Sequence, residues 1–585
     1  MGEAGVVANS SISDRHLSPV QNRNVAGTVL VWILALLYSC SLQAQTTHTT
    51  IQRSTKARAL DAILQYISST WTDLTRSTTS CTAVTDIKVV QNSVLYVPAD
   101  LAIPPELANL PKTCNFRVQH LPFVITGPGQ VKTSAIQPPG LLFLPHPYVV
   151  PGGRFNEMYG WDSYFIIRGL LREGNVDLAR DIVENFFFEI EHYGTVLNAN
   201  RTYYLTRSQP PFLTSMIIAV YEAEKAREHA DPSWLAKAYE YANRNYQMWI
   251  RAPHLAGTTG LSRYYDFGEG PVEEGLRQEV GYYPDVLAYF LRNDNVGSAY
   301  VNEANRPDSL SYPQFSLQLC GVKGAPSAEA CNLLNFVALS PEYYKGDRAM
   351  RESGFDISFR FGPYGADTQH YAPVCLNSLL YKTETDMEQM SLWLGNKQAA
   401  VQWHKRAQKR RENIQRLLWN TQRGLYFDYD FQTGKQSSYV YATTFYPLWA
   451  GIATPDQARA VAQNLRLLEH QGGLAMSTKN TGVQWDYPYG WAPIQLLAVE
   501  GLRRYGYDAG ADRVSCEFLS MVLANFDRDG TMREKYNVVT DSSNIDVAEG
   551  YRSNGSGFGW TNGVFLVLLH QLSPASRQSL SVPTK

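Results

Sequence analysis

The sequence predicts an all-α protein in which helical hairpins are arranged in a ring. Three observations predict it. From Tyr164 onward the apolar spacing is helical almost throughout, convincing strands are few, and the stretches between helices are loops rich in Gly, Trp, Asp and Arg. A ring of hairpins gathers such loops at one end, where a site can be built. No stretch reads as an interdomain linker, and no sequence repeat is strong enough to count.

Residues 1–44 read as a signal peptide. Arg15, His16 and Arg23 precede the apolar run "VLVWILALLYSCSL" (29–42), and "LQA" ending at Ala44 resembles a signal-peptidase site. The run is shorter than the roughly 20 residues of a membrane-spanning helix. Export to the periplasm or the exterior is expected, with cleavage before Cys40 to give a lipoprotein as the lesser alternative. Export makes the cysteines informative: Cys81/Cys114 and Cys320/Cys331 are close enough in sequence to form disulfides in an oxidising compartment, with Cys375 and Cys516 left over. None has CxxC or CxxH spacing, so no zinc site is implied.

Residues 45–84 form a lead-in that opens rich in Thr and Ser, and 85–575 are assigned to one catalytic domain. The element "YFIIRGLLREG" places Phe165, Ile166, Leu170 and Leu171 on one side and stops at Gly174, a helix C-cap. Residues 234–250, 399–420 and 454–468 read as amphipathic helices. In the last of these, Thr454 is the N-cap and Pro455 the first helical residue. "PIQLLAVEGLRRYG" repeats that plan, from Pro493 to Gly506.

Composition narrows the partners. With 52 basic and 54 acidic residues the formal net charge is −2, and no basic run appears, which argues against nucleic acid or an anionic membrane as partner. Aromatic residues make up 12%. They serve either a large core or ring faces against the apolar C–H face of a sugar, and composition alone does not choose.

Five segments put charged residues among Gly and aromatics: "PGGRFNEMYGWDSYF" (151–165), "NANRTYYLTRSQPP" (198–211), "RESGFDISFRFGPYG" (351–365), "GVQWDYPYGWAP" (482–493) and "DGTMREKYNVV" (529–539). A carboxylate beside Trp or Phe is either a structural acid paired with Arg, or a catalytic acid whose pKa the apolar neighbours raise. Asp356 in "SGFDI" and Glu534 in "MREKY" suit the second identity. Two such groups with unlike surroundings are what glycoside hydrolysis needs, one to protonate the leaving oxygen and one to activate water.

"PGGRFNEMYGWDSY" and "QWDYPYGWAP" resemble the two signature motifs of the trehalases of glycoside hydrolase family 37. "YYLTRSQPP", "ESGFD", "NSLLY", "REKYNV" and "GFGWTNGV" resemble further blocks of that family, in its order, from about residue 85 to 572. The resemblance implies an (α/α)6 barrel and an inverting hydrolysis of the α,α-1,1 bond of trehalose to two glucose molecules. It makes Asp356 the general acid and Glu534 the general base. It also implies binding roles for Arg154, Phe155, Tyr159, Trp161 and Asp162, for Asn198, Arg207 and Gln209, and for Gly354 and Trp485, the last with a core tryptophan as the equal alternative. Gly152 and Gly153 are expected to bring the backbone close to the sugar. No metal or cofactor is implied, and the expected partner is trehalose alone, bound by a monomer.

Two departures stand out. Where the family has "RPES", this chain has "GPVEEG" within 268–275, with Glu273 as the counterpart of the acid, no arginine, and Arg277 as a substitute four residues on. The family's "GGGGEY" is altered to "DVAEGYRSNGSG" (546–557), where Glu549 is the counterpart of its last acid. These put substrate identity in play, and the nearest rival is a related inverting glycosidase acting on another α-glucosidic disaccharide or glucan. A polysaccharide lyase would need a Tyr, His or Lys base where acids dominate, and a sugar-binding protein without activity has no use for two opposed carboxylates.

Overall fold

Proline and short polar side chains start the helices. In the computed structural model Thr454 caps the helix Pro455–Gln463 with a full capping box, its hydroxyl accepting from the Gln457 amide while the Gln457 side chain reaches back. Asp231 accepts from the Ser233 amide ahead of Pro232 at the start of another, and Asn396 from the Ala399 amide at a third. The structure describes residues 59–85, 93–108, 110, 114–277, 279, 281–293, 299–304, 317–318, 336–548, 550 and 553–580, all within one compact unit, Ala59–Leu580. The expected signal peptide, Cys40, Cys320, Cys331 and Glu549 lie outside the described residues.

Twelve of the described helices form six successive hairpins. They are α1 Asp162–Arg172 with α2 Val176–His192, α3 Leu213–Ala226 with α4 Pro232–Trp249, α5 Val374–Trp393 with α6 Lys397–Leu417, α7 Tyr446–Ala450 with α8 Pro455–Gln463, α9 Ala492–Arg504 with α10 Asp508–Asp529, and α11 Gly559–Gln571 with α12 Pro574–Leu580. The odd-numbered helices pack α1 on α3, α3 on α5, α5 on α7, α7 on α9, α9 on α11 and α11 back on α1, a closed inner ring of six. The expected (α/α)6 barrel is this ring. The expected helices at 234–250, 399–420 and 454–468 correspond to α4, α6 and α8, with a 3-10 turn at Leu465–Leu467 ending the last.

Within each hairpin the link is short, as at 173–175 and 394–396, whereas the links between hairpins are long: 193–212, 250–373, 418–445, 464–491 and 530–558. Those long links lead into the N-termini of the inner helices. All five motif segments fall in them or in the stretch before α1, so they share one end of the ring.

The ring closes on glycine. A Cβ at Gly169 of α1 would lie 2.5 Å from the Gly563 Cα of α11, and one at Gly563 would lie 2.2 Å from the Phe165 carbonyl oxygen. Only bare backbone on both helices permits that approach. Beside this seam runs a helix over 59–74, whose Ile63, Ile67, Trp71 and Leu74 recur every three or four residues and are buried in the main core. Strands are short; the largest sheet is parallel, Ser93–Val97 between Phe116–His120 and Leu141–Leu142. Cys81 and Cys114 are disulfide-bonded, Cα atoms 5.5 Å apart. Among the described residues no helix is long and apolar enough to cross a membrane.

Candidate active site

The end of the ring that carries the long links holds a pocket whose empty space, open solvent at its mouth included, is about 550 Å3. Phe155, Tyr159, Trp161, Asp162, Asn198, Arg207, Gln209, Gly354, Asp356, Trp485 and Glu534, all singled out in the sequence, line it together.

Its walls are rings. Trp161 meets Phe355, Trp485 and Trp560 at centroid distances of 5.5, 5.9 and 5.9 Å, and Trp485 stacks on Trp491 at 3.8 Å. Trp485 is almost fully buried in that stack and also lines the pocket. Gly354 has φ +74°, and a Cβ there would lie 3.0 Å from the Trp161 ring, so a side chain would push into the wall. Gly152 and Gly153 do not have positive φ; a Cβ at Gly152 would lie 3.1 Å from the Phe558 ring, and one at Gly153 would meet nothing within 4 Å.

Polar groups are placed between the rings. Arg207 donates through Nε and Nη2 to the Asn198 Oδ1, at 3.2 and 2.9 Å, and through Nη2 also to Glu274. Gln209 accepts from the Trp161 amide at 2.9 Å. Arg154 stands at the rim, its guanidinium 4.5 Å over the Phe155 ring and its Nη2 3.9 Å from Glu534 Oε1.

The two carboxylates named as acid and base have unlike surroundings. Burial pushes Asp356 up to about 7, the Arg351 guanidinium 4.0 Å away opposing and Glu279 adding to the rise. Glu534 is flanked by cations, with Lys535 Nζ 3.1 Å from its Oε2 and Arg154 beyond. Its backbone is pinned by the Trp560 indole N–H, which donates to the Glu534 carbonyl at 3.1 Å. Lys535 is itself buried, desolvation drawing its pKa down while Glu534 draws it up. Asp162 is held well above the usual carboxylate range, first by burial and then by the charges of Glu534 and Asp356.

The altered "GPVEEG" stretch needs a correction of one residue. Glu273 begins the short helix Glu273–Arg277 and does not line the pocket; Glu274 does, bonded to Arg207. Successive helical residues point about 100° apart, so neighbouring glutamates face different ways. The second arginine lining the pocket is Arg351, for which the sequence predicted no role. It donates to Glu279 at 2.6 Å and to Asp347 at 3.2 Å while lining the pocket beside Asp356. The signal was its place, five residues ahead of the acid in the same motif.

The trehalase family model matches residues 41–286 and 323–573. A cytosolic neutral trehalase of Neurospora crassa is 38% identical over 75% of this chain and 60% of its own length, and a cytosolic neutral trehalase of Saccharomyces cerevisiae is 34% identical over 85% and 68%. This chain thus spans about three fifths of the Neurospora relative, the 60% just given. The solved structure of neutral trehalase Nth1 from Saccharomyces cerevisiae superposes with a TM-score of 0.72 at 33% identity, covering 90% of this chain and 96% of that one. These relatives also correct the expectation of export. They are named cytosolic, and on that finding the signal peptide over 1–44 and the periplasmic or extracellular destination are withdrawn. The export reading rested on a short apolar run behind a few basic residues and on the three-residue "LQA" resemblance to a cleavage site, both short local patterns. With its family model matched over most of its length and its ring and motifs in place, the chain belongs to the trehalase family.

Proposed function

We propose that the protein hydrolyses trehalose to two glucose molecules with inversion, Asp356 acting as general acid and Glu534 as general base. The observation that carries the reading is the contrast between the two carboxyls in one pocket: Asp356 desolvated and raised to about 7, Glu534 set between Lys535 and Arg154. A group that must arrive protonated suits the first environment, and one that must accept a proton from water suits the second.

Asp356 gives its proton to the bridging oxygen as the C1–O bond breaks and the bonding pair stays on that oxygen. Water bonds to C1 from the opposite face while its proton passes to Glu534. Solvent then restores both groups. Arg154, Asn198, Arg207, Gln209, Asp162 and Arg351 supply donors and acceptors for the hydroxyls, and the tryptophan walls cover the C–H faces. Arg351 puts a guanidinium into the pocket that the altered loop lacks, which removes the ground for a different substrate.

Asp356→Asn and Glu534→Gln are each expected to lower trehalose turnover by about 10²–10⁴-fold or more, with the circular dichroism of the helical ring unchanged. Near-normal activity in either variant removes that residue from its role.

A further inference from the structure

Three consecutive residues of the second motif hold the segment that carries the acid. The Gln484 side-chain amide donates to the Asp356 carbonyl. The Trp485 backbone N–H donates to the Ile357 carbonyl at 3.2 Å. The Asp486 Oδ2 accepts from the Phe359 N–H at 3.0 Å, and from the Thr481 hydroxyl at 2.8 Å. The holder is itself held: the Trp491 indole donates to the Gln484 carbonyl at 2.9 Å and the Tyr441 hydroxyl to the Trp485 carbonyl at 2.7 Å. All three residues are buried, and Asp486, unlike its two neighbours, does not line the pocket.

Asp486 is a costly choice for a tie. It is fully buried, with no Lys or Arg within ion-pair distance among the described residues, and burial raises its pKa to about 6. A carboxylate kept there in spite of that cost accepts from the Phe359 amide in a charge-assisted bond, stronger than a neutral one.

We propose that Gln484, Trp485 and Asp486 form a positioning clamp for the general acid, with Asp486 as its far anchor, a residue outside the pocket that fixes where the Asp356 carboxyl meets the bridging oxygen. The proposal rests on the assignment of Asp356 as acid. A displacement of about 1 Å at the reacting atoms costs on the order of 100-fold in rate. Loss of the anchor therefore falls on proton delivery, leaving the hydroxyl contacts of the pocket in place.

The test compares wild type, Asp486→Ala, Asp486→Asn and Asp356→Asn on trehalose and on α-glucosyl fluoride, whose fluoride leaves with little need of a proton. Asp486→Ala is expected to lower kcat on trehalose by on the order of 100-fold with KM near the wild-type value, and to keep most of its activity on the fluoride. Asp486→Asn retains a carbonyl oxygen for the Phe359 N–H, preserves volume against misfolding, and is expected to recover most of the trehalose rate. Equal losses on both substrates in the Asp486 variants, or a change confined to KM, overturn the clamp. If Asp356→Asn itself loses both substrates equally, the assignment of the acid falls, and the clamp with it.

Discussion

As the proposed acid, Asp356 must be protonated when substrate arrives and ionised when product leaves, so its raised pKa is expected to set the upper pH boundary of the reaction. With that pKa about 7, kcat/KM is expected to fall as pH rises through about 7, because the ionised form has no proton to give. A profile flat to pH 9 would contradict the assignment. The same group carries a stability consequence. Its folded pKa lies above the ordinary value of 3.8, so the buried carboxyl costs nothing below pH 4, where both states are protonated, and costs most above pH 7. Asp356→Asn is therefore expected to unfold at a higher temperature than wild type at pH 8, by on the order of 2–4 kcal/mol of stability, with a smaller gain at pH 5. An equal gain at both would mean that burial of charge is not the cause. The two carboxyls proposed as acid and base were legible as candidates in the sequence because each sits in a motif among aromatics. Glu274 and Asp486 were not, because whether a side chain enters the pocket or turns behind it depends on helix phase and loop path.

At the scale of elements, the helices with local signals were the legible ones. Thr454, Pro455 and Gln457 write a start into the chain, and the structure begins α8 there. The helix Pro341–Glu352 went unread because "PEYYKGDRAMRE" looks like an exposed surface. It is buried nonetheless, Arg348 donating to the Gly270 carbonyl at 2.7 Å and paired with Asp266, and Arg351 paired with Glu279 and Asp347. Pairing of that kind is a tertiary fact, invisible to periodicity. The seam between α1 and α11 is another. Glycine in mid-helix weakens a helix by propensity alone, yet Gly169 and Gly563 let the first and last inner helices meet. Gly563→Ala is expected to lower stability by about 1–3 kcal/mol or more, since its methyl would lie 2.2 Å from the Phe165 carbonyl oxygen. An unchanged melting temperature would show that the seam does not depend on this contact.

Across the whole molecule, the pocket exists because five long links and the stretch before α1 converge where the inner helices begin. Hairpins with short turns at one end and long links at the other were visible as helices separated by Gly- and Trp-rich loops. The ring itself was expected; the contact that closes it was not legible, since it is packing between α1 and α11, far apart in the chain. On the proposed reading, the ring presents an aromatic pocket with an acid and a base, so that water attacks opposite the leaving sugar. The most direct test of that account is an early-time proton NMR spectrum of the purified protein with trehalose, recorded before mutarotation mixes the anomers. Inverting hydrolysis predicts equal amounts of α- and β-glucose in the first spectra; α-glucose alone, or no glucose at all, would contradict it.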